Sequence, residues 1–129
     1  PSSISQVAAI EALNGTQSYI AVNALGFRKK RDLVLNLLSK IKNLECYKSE
    51  GAFYLFPRCT KLLGKKTPSG KILENDNDVA TYLLEHANVA VVPGIAFGLE
   101  GYFRISYATS EELLTKACNR IEESINQLN

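Results

Sequence analysis

Val34, Leu37, Leu38 and Ile41 follow the i, i+3, i+4, i+7 spacing of a helix with one buried stripe, and the pattern predicts a long amphipathic helix from about Ser18 to Asn43. Ahead of it, the run SISQVAAIEALNG predicts a short helix, with Ser3 as N-cap, Gln6 completing a capping box and Gly15 as a left-handed stop. A third helix, capped by Asp76 or Asn77, puts Val79, Tyr82, Leu83 and His86 on one face. The last begins with a capping box from Thr109 to Glu112 and carries Leu114, Ala117, Ile121, Ile125 and Leu128 on its stripe.

Between these helices the apolar positions change rhythm. ECYKSEG and AFYLFPR are short β-like runs around Gly51, the second ended by Pro57, and predict a hairpin or a bent strand. NVAVVP and YFRISYA predict two further strands, whereas residues 60 to 76 mix Gly, Pro, Ser and Lys without a period and predict an exposed loop. The resulting order, α, long α, β, β, α, β, β, α, lacks a strict βαβ repeat. It predicts an α/β fold, a small sandwich with helices packed on a mostly antiparallel or mixed sheet.

At 129 residues the chain is long enough for one domain that buries roughly two thirds of its unfolded surface. Its composition, 46% hydrophobic and 22% charged, is that of a folded globular protein. The net charge of +2 is too small to imply a nucleic-acid or membrane partner. The basic run GFRKKRD, residues 26 to 32, reads as the solvated face of the long helix. With no apolar run near the roughly 20 residues of a membrane span and no secretion-signal pattern at the start, the expected location is cytoplasmic. Cys46, Cys59 and Cys118 contain no C-x-x-C pair, so they read as reduced thiols and no metal site is expected; His86 reads as structural.

One residue breaks the pattern of its segment. In GYFRISYA, period-two alternation puts Phe103, Ile105 and Tyr107 on one face and Tyr102, Arg104 and Ser106 on the other. Arg104 is either a salt-bridged surface arginine or a carboxylate ligand, for which its planar fork offers two parallel charge-assisted hydrogen bonds. VVPGIAFG nearby, with Pro93, Gly94 and Gly98, gives a backbone able to turn tightly and approach a ligand.

The series EGAFYLFP (50 to 57), VAVVPGIAFG (89 to 98), GYFRISYATSEELL (101 to 114) and ACNRIEESI (117 to 125) resembles the C-terminal part of class I and II aminotransferases, the fold-type I pyridoxal-phosphate enzymes. Among these it is most similar to the bacterial aspartate aminotransferases. PSSISQVAAIEAL resembles the family segment that follows the cofactor lysine, so the likeness runs over nearly the whole chain.

The resemblance implies that Arg104 binds the α-carboxylate of amino-acid and 2-oxo-acid substrates in both halves of a ping-pong transamination, with Gly51 and Phe53 as lesser substrate-binding candidates. It further implies amino transfer from aspartate to 2-oxoglutarate, pyridoxal 5'-phosphate and a homodimer in the intact enzyme. Residues 1–17 would end the large cofactor-binding domain, and residues 18–129 would form the small domain with its long connecting helix. No stretch resembles the family's S-x-S-K-x-x-x-x-x-G-x-R motif, so no catalytic or cofactor-binding residue is expected in this chain, no cofactor is expected bound to it, and alone it is expected to be inactive. Two alternatives stay open: a stand-alone anion-binding α/β module, or a transaminase for aromatic amino acids, alanine or kynurenine.

Overall fold

A computed structural model describes residues 1–129. Helices α1 (Ser3–Asn14) and α2 (Ser18–Leu38) open the chain. Strand β1 (Tyr54–Leu55), helix α3 (Asp76–Ala87), strands β2 (Val92–Pro93) and β3 (Phe103–Ser106), and helix α4 (Glu111–Asn126) follow. β3 is the central strand of an antiparallel sheet in the order β1-β3-β2, pairing Leu55 with Ile105 and Val92 with Arg104. The expected α/β architecture is therefore present, with the sheet wholly antiparallel.

Alternation along β3 is realised in its burial. Phe103, Ile105 and Tyr107 face the helices and are buried, while Arg104 is half-buried and Ser106 exposed on the other side. The core joins this strand to Val34 and Leu38 of α2, Val79 and Leu83 of α3, and Leu114 and Ile121 of α4. The three helices thus cover one face of the sheet and leave the other open. Tyr82 seals the α3–α4 contact by donating its hydroxyl to the Ser124 carbonyl at 2.8 Å, which lets a polar group lie inside the core without cost.

Several boundaries differ from the sequence expectation, each by a local choice of partner. The N-cap of α1 is Ser2, whose side chain accepts from the Ser5 N–H, and Gly15 ends the helix in an extended conformation with φ −74°. Asn75 caps α3 and Ser110 caps α4, each one residue before the predicted cap or after it. α2 stops at Leu38; Ile41 still reaches the core, but from a turn that passes through Asn43 at φ +68°. Of ECYKSEG only Glu45 pairs, with Arg58.

The larger correction concerns residues 60 to 76, which are exposed over most of their length but are pinned to the core at several points. A short 3₁₀ turn at Thr60–Leu62 and a bridge between Lys66 and Ile72 fold the segment back on itself, so that Leu62, Thr67 and Leu73 are buried. Most of its backbone hydrogen bonds run to its own backbone, and Lys66 exchanges two with Asn129 at the chain end. Local pairing of this kind has no period, which is why the pattern concealed it.

All three cysteines are free thiols. Burial raises Cys46 and Cys118 to about 11, and burial together with the nearby Asp76 charge raises Cys59 to about 12. At neutral pH each is the protonated, unreactive form. α1 and the first turns of α2 lie apart from this core: Ile4, Val7, Ile10 and Leu13 all point to solvent, as do Tyr19, Ile20, Val22 and Leu25.

Candidate substrate-anion site

The open face of the sheet is aromatic with one charge at its centre. Antiparallel register places Phe56 opposite Arg104 and Tyr54 opposite Ser106, so their side chains share that face. Tyr102 lies two residues before Arg104 on the same side, and its ring stacks on Phe56 at 5.6 Å. Beyond β2 the chain makes a 3₁₀ turn, Gly94–Phe97, which brings Phe97 back over the sheet. Phe97 meets Phe56 edge-on at 5.8 Å.

Arg104 lies between two of these rings. Its Cζ is 4.8 Å from the centroid of Phe97 and 5.4 Å from that of Tyr54, both within cation–π range. Ion pairs engage Arg31, Arg58 and three lysines with Asp32, Glu45 and Asp78, but none includes Arg104. Nor does its guanidinium donate a hydrogen bond to any protein group. The five N–H donors of a half-buried guanidinium are therefore held by π-faces and left without an acceptor. An anion, above all a carboxylate, is the group such a fork is shaped to receive.

The turn carrying Phe97 depends on glycine for space. A Cβ on Gly94 would come within 2.1 Å of the Leu99 carbonyl oxygen and 2.9 Å of that of Tyr102, both backbone atoms. Gly98 closes the turn at φ +74°, a conformation that disfavours side chains. Gly94→Ala is expected to destabilise the chain by about 3 kcal/mol, the upper end for overpacking, because the clash is with backbone. A urea midpoint unchanged by this substitution would show that the turn does not hold the described geometry.

The two lesser candidates lie elsewhere. Phe53 is opposite Tyr107, whose N–H donates to the Phe53 carbonyl at 2.8 Å, and so shares the helix-facing side of the sheet. Its ring packs on Phe27 of α2 at 4.7 Å. With Gly51, Arg28 and Arg31 it borders a hollow of about 230 Å³ at the sheet edge. The wall is pinned from two sides. Arg31 donates to the Ser49 carbonyl at 2.9 Å, and the Tyr107 hydroxyl donates to that of Ala52 at 2.7 Å, which holds Ala52 at φ +67°. The structure thus does not bring Gly51 or Phe53 against Arg104.

Tyr54 and Phe97, which do touch Arg104, were missed by sequence reasoning. Tyr54 was legible as the residue that alternation in AFYLF puts on the far face; Phe97 lies in a turn and has no periodic signal. No lysine lies on β1, β2, β3 or the 94–97 turn, so this face fits a substrate anion and supplies no amine for a Schiff base. The residues of this face therefore do not fit a covalently held pyridoxal phosphate.

Comparison with known proteins places the chain in a family. The family described as aminotransferase class I and II matches residues 2–121. A probable aspartate/prephenate aminotransferase of Rickettsia bellii is 66% identical over 128 residues, covering 99% of this chain and 32% of the relative. The crystal structure of the aspartate aminotransferase from Rhizobium meliloti superposes with a TM-score of 0.96 at 53% identity, over 100% of this chain and 32% of that one. The aromatic aminotransferase from Pyrococcus horikoshii gives a TM-score of 0.77 at 38% identity, over 94% of this chain and 31% of its own. The chain spans about a third of the length of these proteins. With the match running from Ser2 to Ile121 and the fold shared throughout, this chain belongs to the class I and II aminotransferase family.

Proposed function

We propose that this chain is the small-domain portion of a pyridoxal-phosphate aminotransferase that moves the amino group of aspartate to 2-oxoglutarate, and that Arg104 binds the α-carboxylate of each substrate. The observation that carries the proposal is a half-buried guanidinium without a protein acceptor, held between Tyr54 and Phe97 on an uncovered sheet face. Aspartate, 2-oxoglutarate and their products each carry an α-carboxylate beside the reacting carbon, so one fixed bidentate clamp serves both half-reactions and orients that carbon. Pyridoxal phosphate supplies the electron sink in the intact enzyme. It belongs to protein outside this chain, together with the lysine that carries it.

Residues 1–17 belong in this reading to the end of the large domain, and residues 18–129 to the small domain. Gly51 and Phe53, which border a separate hollow at the sheet edge, are in this reading lesser substrate-binding residues of the intact enzyme. The intact enzyme is a cytoplasmic homodimer; no helix of the chain is long and apolar enough to cross a membrane.

A second substrate is favoured by a specific observation. The Rickettsia relatives carry a name that pairs aspartate with prephenate, and the rings of Tyr54, Phe56, Phe97 and Tyr102 offer a ring-bearing acid an apolar surface beside the clamp. The test is to express the complete reading frame that encodes this chain and supply pyridoxal phosphate, aspartate and 2-oxoglutarate. Oxaloacetate and glutamate should form in equal amounts, and prephenate should serve as an alternative amino acceptor. No amino transfer from aspartate to either acceptor overturns the assignment.

A further inference from the structure

Asp76 is 2% exposed, and nothing in the capping of its helix requires it to be buried. Asn75 caps α3 by accepting the Asp78 N–H at 3.0 Å, and Asp78 accepts the Glu74 N–H at 3.0 Å and binds Lys71. Asp76 points the other way. Its Oδ2 accepts the N–H of Ile95 at 2.8 Å, nineteen residues along the chain. A carboxylate taken out of water is costly unless its partners are good. Here the positive end of α3 and a charge-assisted bond to Ile95 compensate it.

That bond has a particular position in the fold. Within the turn, Gly98 donates to Ile95 and Leu99 donates to Gly94, while Gly94 itself is tied to Tyr102. From Ile95 to Glu100 the bond to Asp76 is the only hydrogen bond to a residue outside the turn and its flanking strands. Phe97 is two residues beyond Ile95 in the same 3₁₀ turn, and Phe97 is the nearer of the two rings on Arg104. The chain of contacts therefore runs from the Asp76 carboxylate to the Ile95 amide, through one turn of backbone to the Phe97 ring, and from that ring to the guanidinium.

We propose that Asp76 is a positioning residue for the substrate clamp: by anchoring the 94–97 turn to the start of α3 it fixes Phe97 over Arg104 and so holds the guanidinium ready for a carboxylate. The geometric half of this statement stands on the contacts above, and its consequence for substrate rests on the reading of Arg104 as the clamp. An arginine without a protein acceptor otherwise samples many rotamers, and ordering it at the moment of binding would weaken affinity. Asp76 does this before substrate arrives.

The test is nuclear magnetic resonance on the 129-residue chain, reading three signals: the ring-current shift of the Arg104 Nε–H, hydrogen-exchange protection of the Ile95 amide, and the response of Arg104 to titrated succinate. In Asp76→Ala, with native circular dichroism, the ring-current shift should be lost and Ile95 protection should fall about tenfold or more, the loss expected for one bond to a charged group. Asp76→Asn, which keeps an acceptor at the same reach, should restore both. Phe97→Leu should remove the shift while leaving Ile95 protected, which assigns the shift to that ring.

Unchanged shift and protection in Asp76→Ala overturn the proposal, as does failure of Asp76→Asn to restore them. Should Asp76→Ala not fold, Asp76→Asn is compared with Asp76→Glu, whose acceptor is one methylene further out. Retention of both signals in the first and loss in the second supports the anchor, and any other pattern overturns it. Succinate separates this inference from the functional reading. If wild-type Arg104 ignores succinate while the shift still depends on Asp76, the carboxylate clamp fails and the anchor stands.

Discussion

Arg104→Ala in the intact enzyme is expected to lower kcat/KM for aspartate by about three orders of magnitude. A carboxylate held by two parallel N–H···O bonds from a guanidinium gains about 1.5–3 kcal/mol from each, and each 1.36 kcal/mol is tenfold in rate or affinity. The loss should divide between both constants. KM rises because the ground-state carboxylate is bound, and kcat falls because the same clamp orients the carbon that loses its proton. Arg104→Lys should recover only part of the loss, since an ammonium keeps the charge without the fork. Steady-state kinetics of the three proteins check this, and a wild-type kcat/KM in Arg104→Ala would remove the arginine from the site. Alanine at Arg104 should leave the fold intact, because the side chain makes no ion pair or hydrogen bond with the protein and gives up only its cation–π contacts with Tyr54 and Phe97, about 0.5–1 kcal/mol each.

Phe103→Ala is expected to act in the opposite way, on the fold and only through it on the site. Phe103 is fully buried in the central strand, next in sequence to the clamp and on the opposite face. Removing a buried phenyl ring leaves a cavity among core side chains and costs about 3–5 kcal/mol. Domains of this size are stable by about 5–15 kcal/mol, so this single change removes a large part of the total. Thermal and urea unfolding of the 129-residue chain should both shift strongly, whereas Arg104→Ala, which loses its two cation–π contacts, should cost no more than about 2 kcal/mol. A Phe103→Ala variant with wild-type stability would mean that β3 does not carry the core.

The two residues also show how far the sequence could be read. Alternation in YFRISYA separated Phe103 from Arg104 correctly, because a half-covered antiparallel strand writes its two faces into adjacent letters. The same logic recovered the stripes of α2 and α4 and that of α3 apart from His86, which is exposed and whose place in the core is taken by Ala87. Cap positions slipped by one where chemically equivalent residues adjoin, as at Ser2 and Ser3, Asn75 and Asp76, and Thr109 and Ser110. What stayed hidden depended on tertiary partners. Leu62 and Leu73 are buried by a fold-back that has no period, and Phe97 reaches Arg104 only because a glycine-dependent turn carries it there. Asp76 read as a helix cap because its position in the chain is that of a cap; its bond to Ile95 spans nineteen residues and has no local signature.

Strand order has a kinetic consequence. The clamp face is built from β1 and β3, joined by hydrogen bonds that span more than fifty residues, such as Ser106 to the Phe53 carbonyl and Tyr107 to that of Ala52. Between those strands in sequence come α3 and β2, and after them α4; α3 packs against both β2 and α4. Helices close quickly from local contacts, but a pairing this distant must first pay the entropy of closing its loop. The anion site is therefore expected to be among the last features to assemble as the chain folds, so that a signal from the Arg104 guanidinium would serve as a clock for the completion of folding.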